Sequence, residues 1–212
     1  FKNKISFFEI PLFRGAILSL YNTSNNIYHN HDNINGYIYR YPLIQYKIID
    51  NKAAIIAIGE KVDMIEGLIK CFDQPVFIGK KAVVLQLESI TYEEFIPNII
   101  SENISYKITK WLPLNETNYK KYLNSNSLID QIEILENVLI GNIISLCKGI
   151  SFNIEHRIIC KITEMSPTKM IKHKGVFLVS FDAKFNTNIL LTDDIGLGKG
   201  SSHGFGQITK HN

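Results

Sequence analysis

Cysteine is scarce in this sequence, and its spacing excludes the commonest cysteine-based sites. The 212 residues contain three cysteines, Cys71, Cys147 and Cys160. They form no C-x-x-C pair, and none has a histidine at the spacing of a zinc ligand. An odd and widely spaced set also argues against a disulfide framework. We therefore expect three buried, reduced thiols in a cytoplasmic protein.

Long apolar runs are absent as well. The runs at residues 53–58 and 83–87 have the length of strands, whereas a helix that spans a bilayer needs about 20 apolar residues. No membrane segment is expected. Because 45% of the residues are hydrophobic, the chain can bury a full core as a globular protein, either as one large domain or as two small ones.

Arginine is rare, with Arg14, Arg40 and Arg157 standing beside 20 lysines among the 23 basic residues. Residues 141–212 carry 9 basic and 5 acidic side chains, whereas residues 1–140 carry 14 and 15. A polyanion would therefore meet mainly the C-terminal third, although a solvated basic face explains the charge equally well. Binding would depend on lysine–phosphate attraction, because few guanidinium groups can read bases.

Hydrophobic periodicity predicts the same order of elements twice. The first half is predicted to contain a strand at 5–13, a weak helix at 15–21, a long polar loop at 22–36, a hairpin of 37–50 and 52–60 that turns at Asp50-Asn51, a helix at 62–72 and a strand at 81–89. The second half is predicted to contain strands at 106–112, 153–163, 175–184 and 205–209, and a helix from Leu128 to Leu146 capped by Ser127. The basic segment 164–174 would connect two of these strands, and 187–192 could be helix or strand.

This order predicts an α+β protein with two tandem ferredoxin-like (βαββαβ, RRM-like) domains. The turn-rich segment 97–103 marks the expected boundary. We assign residues 1–97 to the first domain and residues 104–212 to the second.

A glycine-rich segment near the C-terminus, residues 195–208, is the most specific local signal. Its candidate phosphate-binding residues are Gly196, Gly198, Lys199, Gly200, Ser201, Ser202, His203, Gly204 and Gly206. Glycine lets consecutive backbone N–H groups converge on an anion. A P-loop requires serine or threonine after its lysine, but Gly200 follows Lys199, so the segment is not a P-loop. Nucleotide-binding glycine motifs also require a helix after the loop, and none is predicted here. We interpret it as a phosphate-binding loop; an unliganded flexible hairpin is the alternative.

The pattern of Gly196, Gly198, Gly204 and Gly206 before a last strand resembles the repeat-associated RNA-binding (RAMP) superfamily of CRISPR systems. The stretches 29–32 (HNHD) and 39–47 (YRYPLIQYK) resemble the N-terminal pattern of the CRISPR repeat-processing endoribonucleases. Residues 114–150 are similar to the C-terminal domain of one compact branch of that family. The resemblance covers nearly the whole chain, but superfamily members that bind RNA without cutting it share the glycine loop.

The resemblance implies cleavage of precursor crRNA without a metal or other cofactor, by attack of a ribose 2′-OH on the adjacent phosphate. The products would carry 2′,3′-cyclic phosphate and 5′-OH ends. Such a reaction needs a proton acceptor and a donor, and imidazole can serve as either near neutral pH. His31 is the first candidate and His29 the second, with Asp32 as a partner that could orient a ring. A metal site at these residues is the weaker alternative.

Further candidate contacts are basic. Lys47 is a candidate phosphate stabiliser at the catalytic site. The candidate RNA-binding side chains outside the glycine loop are Arg40, Arg157, Lys161, Lys169 and Lys172, with Lys174 beside them. Tyr37, Tyr39 and Tyr41 lie on one strand face and could stack on bases or pack in the core. The expected partner is CRISPR repeat RNA. Binding to other CRISPR effector subunits is also possible and would suit the alternative function, a non-catalytic RNA-binding subunit. Association with a second copy in a homodimer stays open.

Overall fold

The computed structural model describes residues 1–24 and 40–211, the side chains of residues 22–24 excepted. The chain divides into two compact units. The first comprises Phe1–Glu93 and Ser202–Gly204, and the second comprises Glu94–Ser201 and Phe205–Asn212. No helix in the described ranges has the length and apolar character needed to cross a membrane.

The first unit begins with a helix, so the predicted strand at 5–13 is wrong. A 3-10 turn at Phe7–Glu9 leads into α1 (Ile10–Ser24). The Glu9 carboxylate accepts hydrogen bonds of 2.8 Å from the Ser6 amide and hydroxyl, which lower the pKa of Glu9. The apolar residues in this short stretch fit the period of a helix as well as that of a strand. Pro11 lies in the first turn of α1, where a backbone N–H has no partner within the helix, so no helical hydrogen bond is lost.

The remaining first-unit elements follow the predicted order with one addition. Strands β1 (Ile44–Ile49) and β2 (Lys52–Ala57) form the predicted antiparallel hairpin, and Asp50 and Asn51 have φ values of 50° and 61°. Helix α2 (Val62–Ile69) lies within the predicted helix. A second hairpin, β3 (Pro75–Ile78) with β4 (Lys81–Val84), was predicted only in its second strand.

Residues 1–4 run alongside both hairpins of the first unit. The Ala53 amide donates to the Asn3 carbonyl at 2.9 Å, and the Lys2 amide donates to the Gln86 carbonyl at 2.8 Å. The core beneath contains the side chains of Ile10, Phe13, Ala16, Ile17, Leu20, Tyr46, Ala53, Leu68, Phe72, Val76, Ile78 and Leu85.

The second unit is built on an antiparallel sheet with the strand order β6-β8-β5-β9, in which β7 pairs with the first part of β8. Its elements are β5 (Asn98–Trp111), α3 (Glu116–Leu123), α4 (Leu128–Gly149), β6 (Cys160–Met165), β7 (Lys169–His173), β8 (Val176–Leu190) and β9 (Gln207–Lys210). The described part of the chain is thus mixed α and β throughout, as predicted.

Helix α4 confirms the predicted helix and its cap. The Ser127 hydroxyl accepts a hydrogen bond from the Asp130 amide at 3.1 Å, and the buried stripe includes Leu135, Leu139 and Ile143. The short helix α3 was not predicted. Its cap is Asn115, whose side chain accepts from the Asn118 amide at 2.8 Å. Eight residues give too few turns for a clear apolar stripe.

Strand positions in the second unit differ from the prediction. The segment 164–174 contains β7 and is not only a connection, the strand predicted at 153–163 begins at Cys160, and β5 begins inside the predicted boundary segment. Strand β8 extends to Leu190, which settles residues 187–190 as strand. Its alternate residues from Phe181 to Ile189 are buried, the period of two expected for a central strand.

Candidate functional site

The glycine-rich segment folds back on itself as a backbone hairpin. The Leu197 amide donates to the Gly206 carbonyl at 2.8 Å, and the Ile208 amide donates to the Ile195 carbonyl at 2.9 Å. These arms belong to the second unit, and the second arm continues directly into β9. The segment therefore has a fixed backbone.

Packing explains two of the glycines. A Cβ atom on Gly206 (φ 62°) would lie 2.0 Å from the Leu197 carbonyl oxygen, and one on Gly198 (φ 83°) would lie 2.7 Å from Asn142 Oδ1. The Trp111 indole N–H donates to that same amide oxygen at 2.9 Å. Trp111 and Asn142 thus support the loop from β5 and α4, a role that sequence reasoning missed.

The predicted loop residues differ in their access to solvent. Gly196, Ser201, Gly204 and Gly206 are buried, Gly198, Gly200, Ser202 and His203 are half-buried, and Lys199 is exposed. Ser202–Gly204 belong to the first unit, where the Ser202 hydroxyl lies 3.0 Å from His203 Nδ1. Lys199 is therefore the most accessible cation of the segment.

Cations gather where β7 ends, beside the glycine hairpin. The His173 ring packs edge-on against the Phe205 ring, with 4.9 Å between centroids. Burial, and then the charges of Lys174 and Lys199, lower the pKa of His173. The exposed Lys174 thus lies near His173 together with Lys199 of the loop, whereas Lys172 projects from the other face of β7.

Other predicted contacts lie elsewhere or are engaged. Arg157 and Lys161 border a cavity of about 200 Å³ beside β6. Strands β8 and β5 lie between β6 and β9 in the sheet, so these two residues are at the opposite edge from β9. Lys161 Nζ lies 2.8 Å from the Glu136 carboxylate, which is 7% exposed and also accepts from the Ile162 amide at 3.0 Å. Lys169 Nζ lies 3.4 Å from Asp182. Much of the Lys161 charge is therefore neutralised.

Some candidate site residues of the first unit lie among the residues that the structure describes, and others do not. Lys47 is fully buried on β1, at 0% exposure, and Arg40 is exposed. Tyr41 is buried and its hydroxyl accepts a 2.8 Å hydrogen bond from Gln45, which fits the packing interpretation. The candidate catalytic residues His29 and His31, with Asp32, Tyr37 and Tyr39, lie outside the described residues.

The lowered pKa of His173 predicts a stability change at acidic pH. The folded protein favours the neutral ring, so this contribution is complete above pH 6.5, the ordinary pKa of histidine, and is lost as pH falls through 6.5 towards the lowered value. Urea unfolding at about pH 7.5 and about pH 5.5 should show a smaller loss of stability for His173→Gln than for the wild type. An identical loss would contradict the assignment, since the other histidines are common to both proteins.

Comparison with known proteins identifies the family. The Cas6b N-terminal domain model matches residues 1–96, and the Cas6b C-terminal domain model matches residues 98–211. The chain therefore belongs to the Cas6b family.

Solved structures agree with this assignment, and the chain is also similar to a curated protein of unassigned function. A crystal structure of Cas6b is 30% identical with a TM-score of 0.85 and covers 98% of this chain and 94% of that one. A second, described as the CRISPR RNA processing endoribonuclease Cas6b, is 26% identical with a TM-score of 0.75, covering 99% and 94%. An uncharacterized protein of Methanocaldococcus jannaschii is 30% identical over 129 residues, 60% of this chain and 85% of that protein.

Proposed function

We propose that this protein is a metal-independent endoribonuclease that binds CRISPR repeat RNA and cuts precursor crRNA. Its membership of the Cas6b family carries the proposal, because a relative similar along its whole length is described as a CRISPR RNA processing endoribonuclease. The cations beside the glycine hairpin support RNA binding independently. The protein would act in the cytoplasm, and we leave its association with other effector subunits or a second copy to experiment.

In the proposed reaction, a ribose 2′-OH attacks the adjacent phosphorus as its proton passes to an imidazole of His31 or His29. The P–O5′ bond breaks, and a proton donor completes the 5′-OH while the cyclic phosphate stays on the other fragment. Because Lys47 is fully buried on β1, we propose that its charge acts on the phosphate through the protein interior and not by direct contact. In the second unit, the glycine hairpin and Lys199 would hold the RNA backbone.

We also propose that both units are ferredoxin-like. In the second unit, β5, β6, β8 and β9 take the sheet positions of the four strands of a βαββαβ unit, and the glycine hairpin replaces the second helix. In the first unit, residues 1–4 run where a first strand would lie, between β2 and residue 86. We keep residues 1–97 as the first proposed domain; the second, proposed as residues 104–212, also includes residues 98–103, because β5 begins at Asn98.

Cleavage in EDTA tests the proposed activity. We expect one cut in the protein's own repeat RNA with metal ions chelated, and none when the scissile nucleotide is a deoxynucleotide, which lacks the nucleophile. Cleavage that requires a divalent ion would contradict metal independence. Tight binding without a cut would instead indicate a non-catalytic RNA-binding subunit.

The ion pair between Lys161 and Glu136 predicts that Lys161 contributes less to RNA binding than Lys199 does. Lys199→Gln should weaken RNA binding and reduce the slope of log affinity against log salt by about 1, the effect of one phosphate contact. Lys161→Gln should change the slope by less than half as much, because Glu136 already neutralises Lys161. Affinity titrations at several salt concentrations measure both slopes. Equal slopes for the two variants would contradict this ranking.

A further inference from the structure

One face of the β7–β8 hairpin exposes large apolar side chains. Phe177 is 62% exposed and Met170 is 60% exposed. Phe177 pairs with Lys172, and Met170 pairs with Val179, so all four side chains project from the same face. Phe177 and Met170 add apolar area to a surface that already carries lysines.

The hairpin projects beyond the main sheet. Residues 176–180 of β8 pair with β7, and the pairing of β8 with β5 begins only at Phe181. Alternate residues Ile171 and Leu178, on the opposite face, are half-buried. On the Phe177 face only Val179 is half-buried, whereas on the other face Val176 is exposed and Ser180 is buried. The Phe177 face is therefore the more open of the two.

Charge decides which partner suits this face. This face carries Lys172, Lys174 lies at the adjacent turn, and residues 165–181 contain no acidic side chain; Lys169 is on the opposite face, where it pairs with Asp182. The Lys172 ammonium lies 6.0 Å from the centroid of the Phe177 ring. A flat apolar surface beside cations matches a nucleotide, whose base stacks on an aromatic ring while its phosphate meets an ammonium group.

We propose that Met170, Lys172 and Phe177 form a stacking platform for an unpaired base of bound RNA, with Lys172 at the phosphate. The proposal rests on the proposed RNA-binding function and adds a contact outside the glycine hairpin. Because every base has an apolar face, the platform would accept a single-stranded segment of any sequence.

Substitution of Phe177 tests the platform. Phe177→Ala should weaken binding of a labelled oligouridine of about 12 nucleotides by roughly 5- to 100-fold, whereas Phe177→Trp should retain affinity. The matched control is Phe77→Ala, which removes a 67% exposed phenylalanine from the β3–β4 hairpin of the first unit and should change affinity less than about twofold.

Fluorescence separates base stacking from phosphate attraction. The single native tryptophan, Trp111, is fully buried but contacts the glycine loop, so RNA-dependent quenching reports on the platform where it occurs in Phe177→Trp and not in the wild-type protein. Oligouridine should quench this emission, and an abasic ribose-phosphate oligomer of the same length should not.

Three results would overturn the platform. They are equal oligouridine affinity of the Phe177→Ala and Phe77→Ala variants, equal quenching by both oligomers, and no quenching by either. If RNA affinity is unchanged and quenching is absent, the face would suit a protein partner. Repeat-RNA cleavage by the wild-type protein in EDTA is measured separately, so failure of the platform is distinguishable from failure of the proposed function.

Discussion

Replacement of His31 or His29 should greatly slow cleavage while RNA binding persists. We expect His31→Ala to lower the single-turnover cleavage rate by about 10²- to 10⁴-fold, the range typical of a lost general acid or base. His29→Ala should have an effect of the same order if the two rings share proton transfer. Both variants should bind repeat RNA within a few-fold of the wild type, because Lys199 and the arms of the glycine hairpin, which are proposed to hold the RNA backbone, lie in the second unit.

His156→Ala is the matched control for these variants. His156 is an exposed histidine of the second unit that takes no part in the proposed reaction. Its variant should cleave at the wild-type rate in EDTA. If His29→Ala and His31→Ala also cleave normally, while a deoxynucleotide at the scissile position still blocks the reaction, the proton acceptor lies elsewhere in the chain.

Gly206→Ala should destabilise the second unit more than any surface substitution. The new methyl group would meet the Leu197 carbonyl oxygen at 2.0 Å, and the residue would keep a φ of 62°, which disfavours alanine. Backbone strain and forced displacement each cost about 1–3 kcal/mol, so the free energy of unfolding should fall by roughly 2–6 kcal/mol. Urea denaturation measures the loss.

Gly141→Ala provides the same chemical change in the same unit. Gly141 lies on the exposed side of α4, and a Cβ there meets no atom within 4 Å. Because alanine favours a helix over glycine, stability should rise by about 0.5–1 kcal/mol. If Gly206→Ala were as well tolerated as Gly141→Ala, the arms of the glycine hairpin would have to differ from those described.

Sequence patterns predicted the elements whose signals are long or chemically specific. Helix α4 has many turns of apolar periodicity and a serine cap, and the β1–β2 turn has two residues that tolerate positive φ. Short elements failed, because the residues before Phe13 fit a strand as well as a helix. The apolar residues alone could not separate the two periods there.

The candidate site was predictable only in part. Residues 195–208 stand out by composition, but the supports of the loop, Trp111 and Asn142, come from distant elements. The Glu136–Lys161 pair joins residues 25 positions apart, so sequence alone could not show that Lys161 has a partner. Tertiary contacts determine which cations remain available to a ligand.

The pairing of β5 with β9 has a consequence for synthesis of the protein. Thr109 of β5 pairs with Gln207 of β9, 98 positions later in the chain. The backbone groups along that edge of β5 therefore stay unpaired during synthesis until β9 leaves the ribosome. At translation rates of about 5–20 residues per second, that interval is roughly 5–20 s. During this time, the nascent sheet exposes backbone groups that could pair with another chain, so chaperone protection should matter most before β9 emerges.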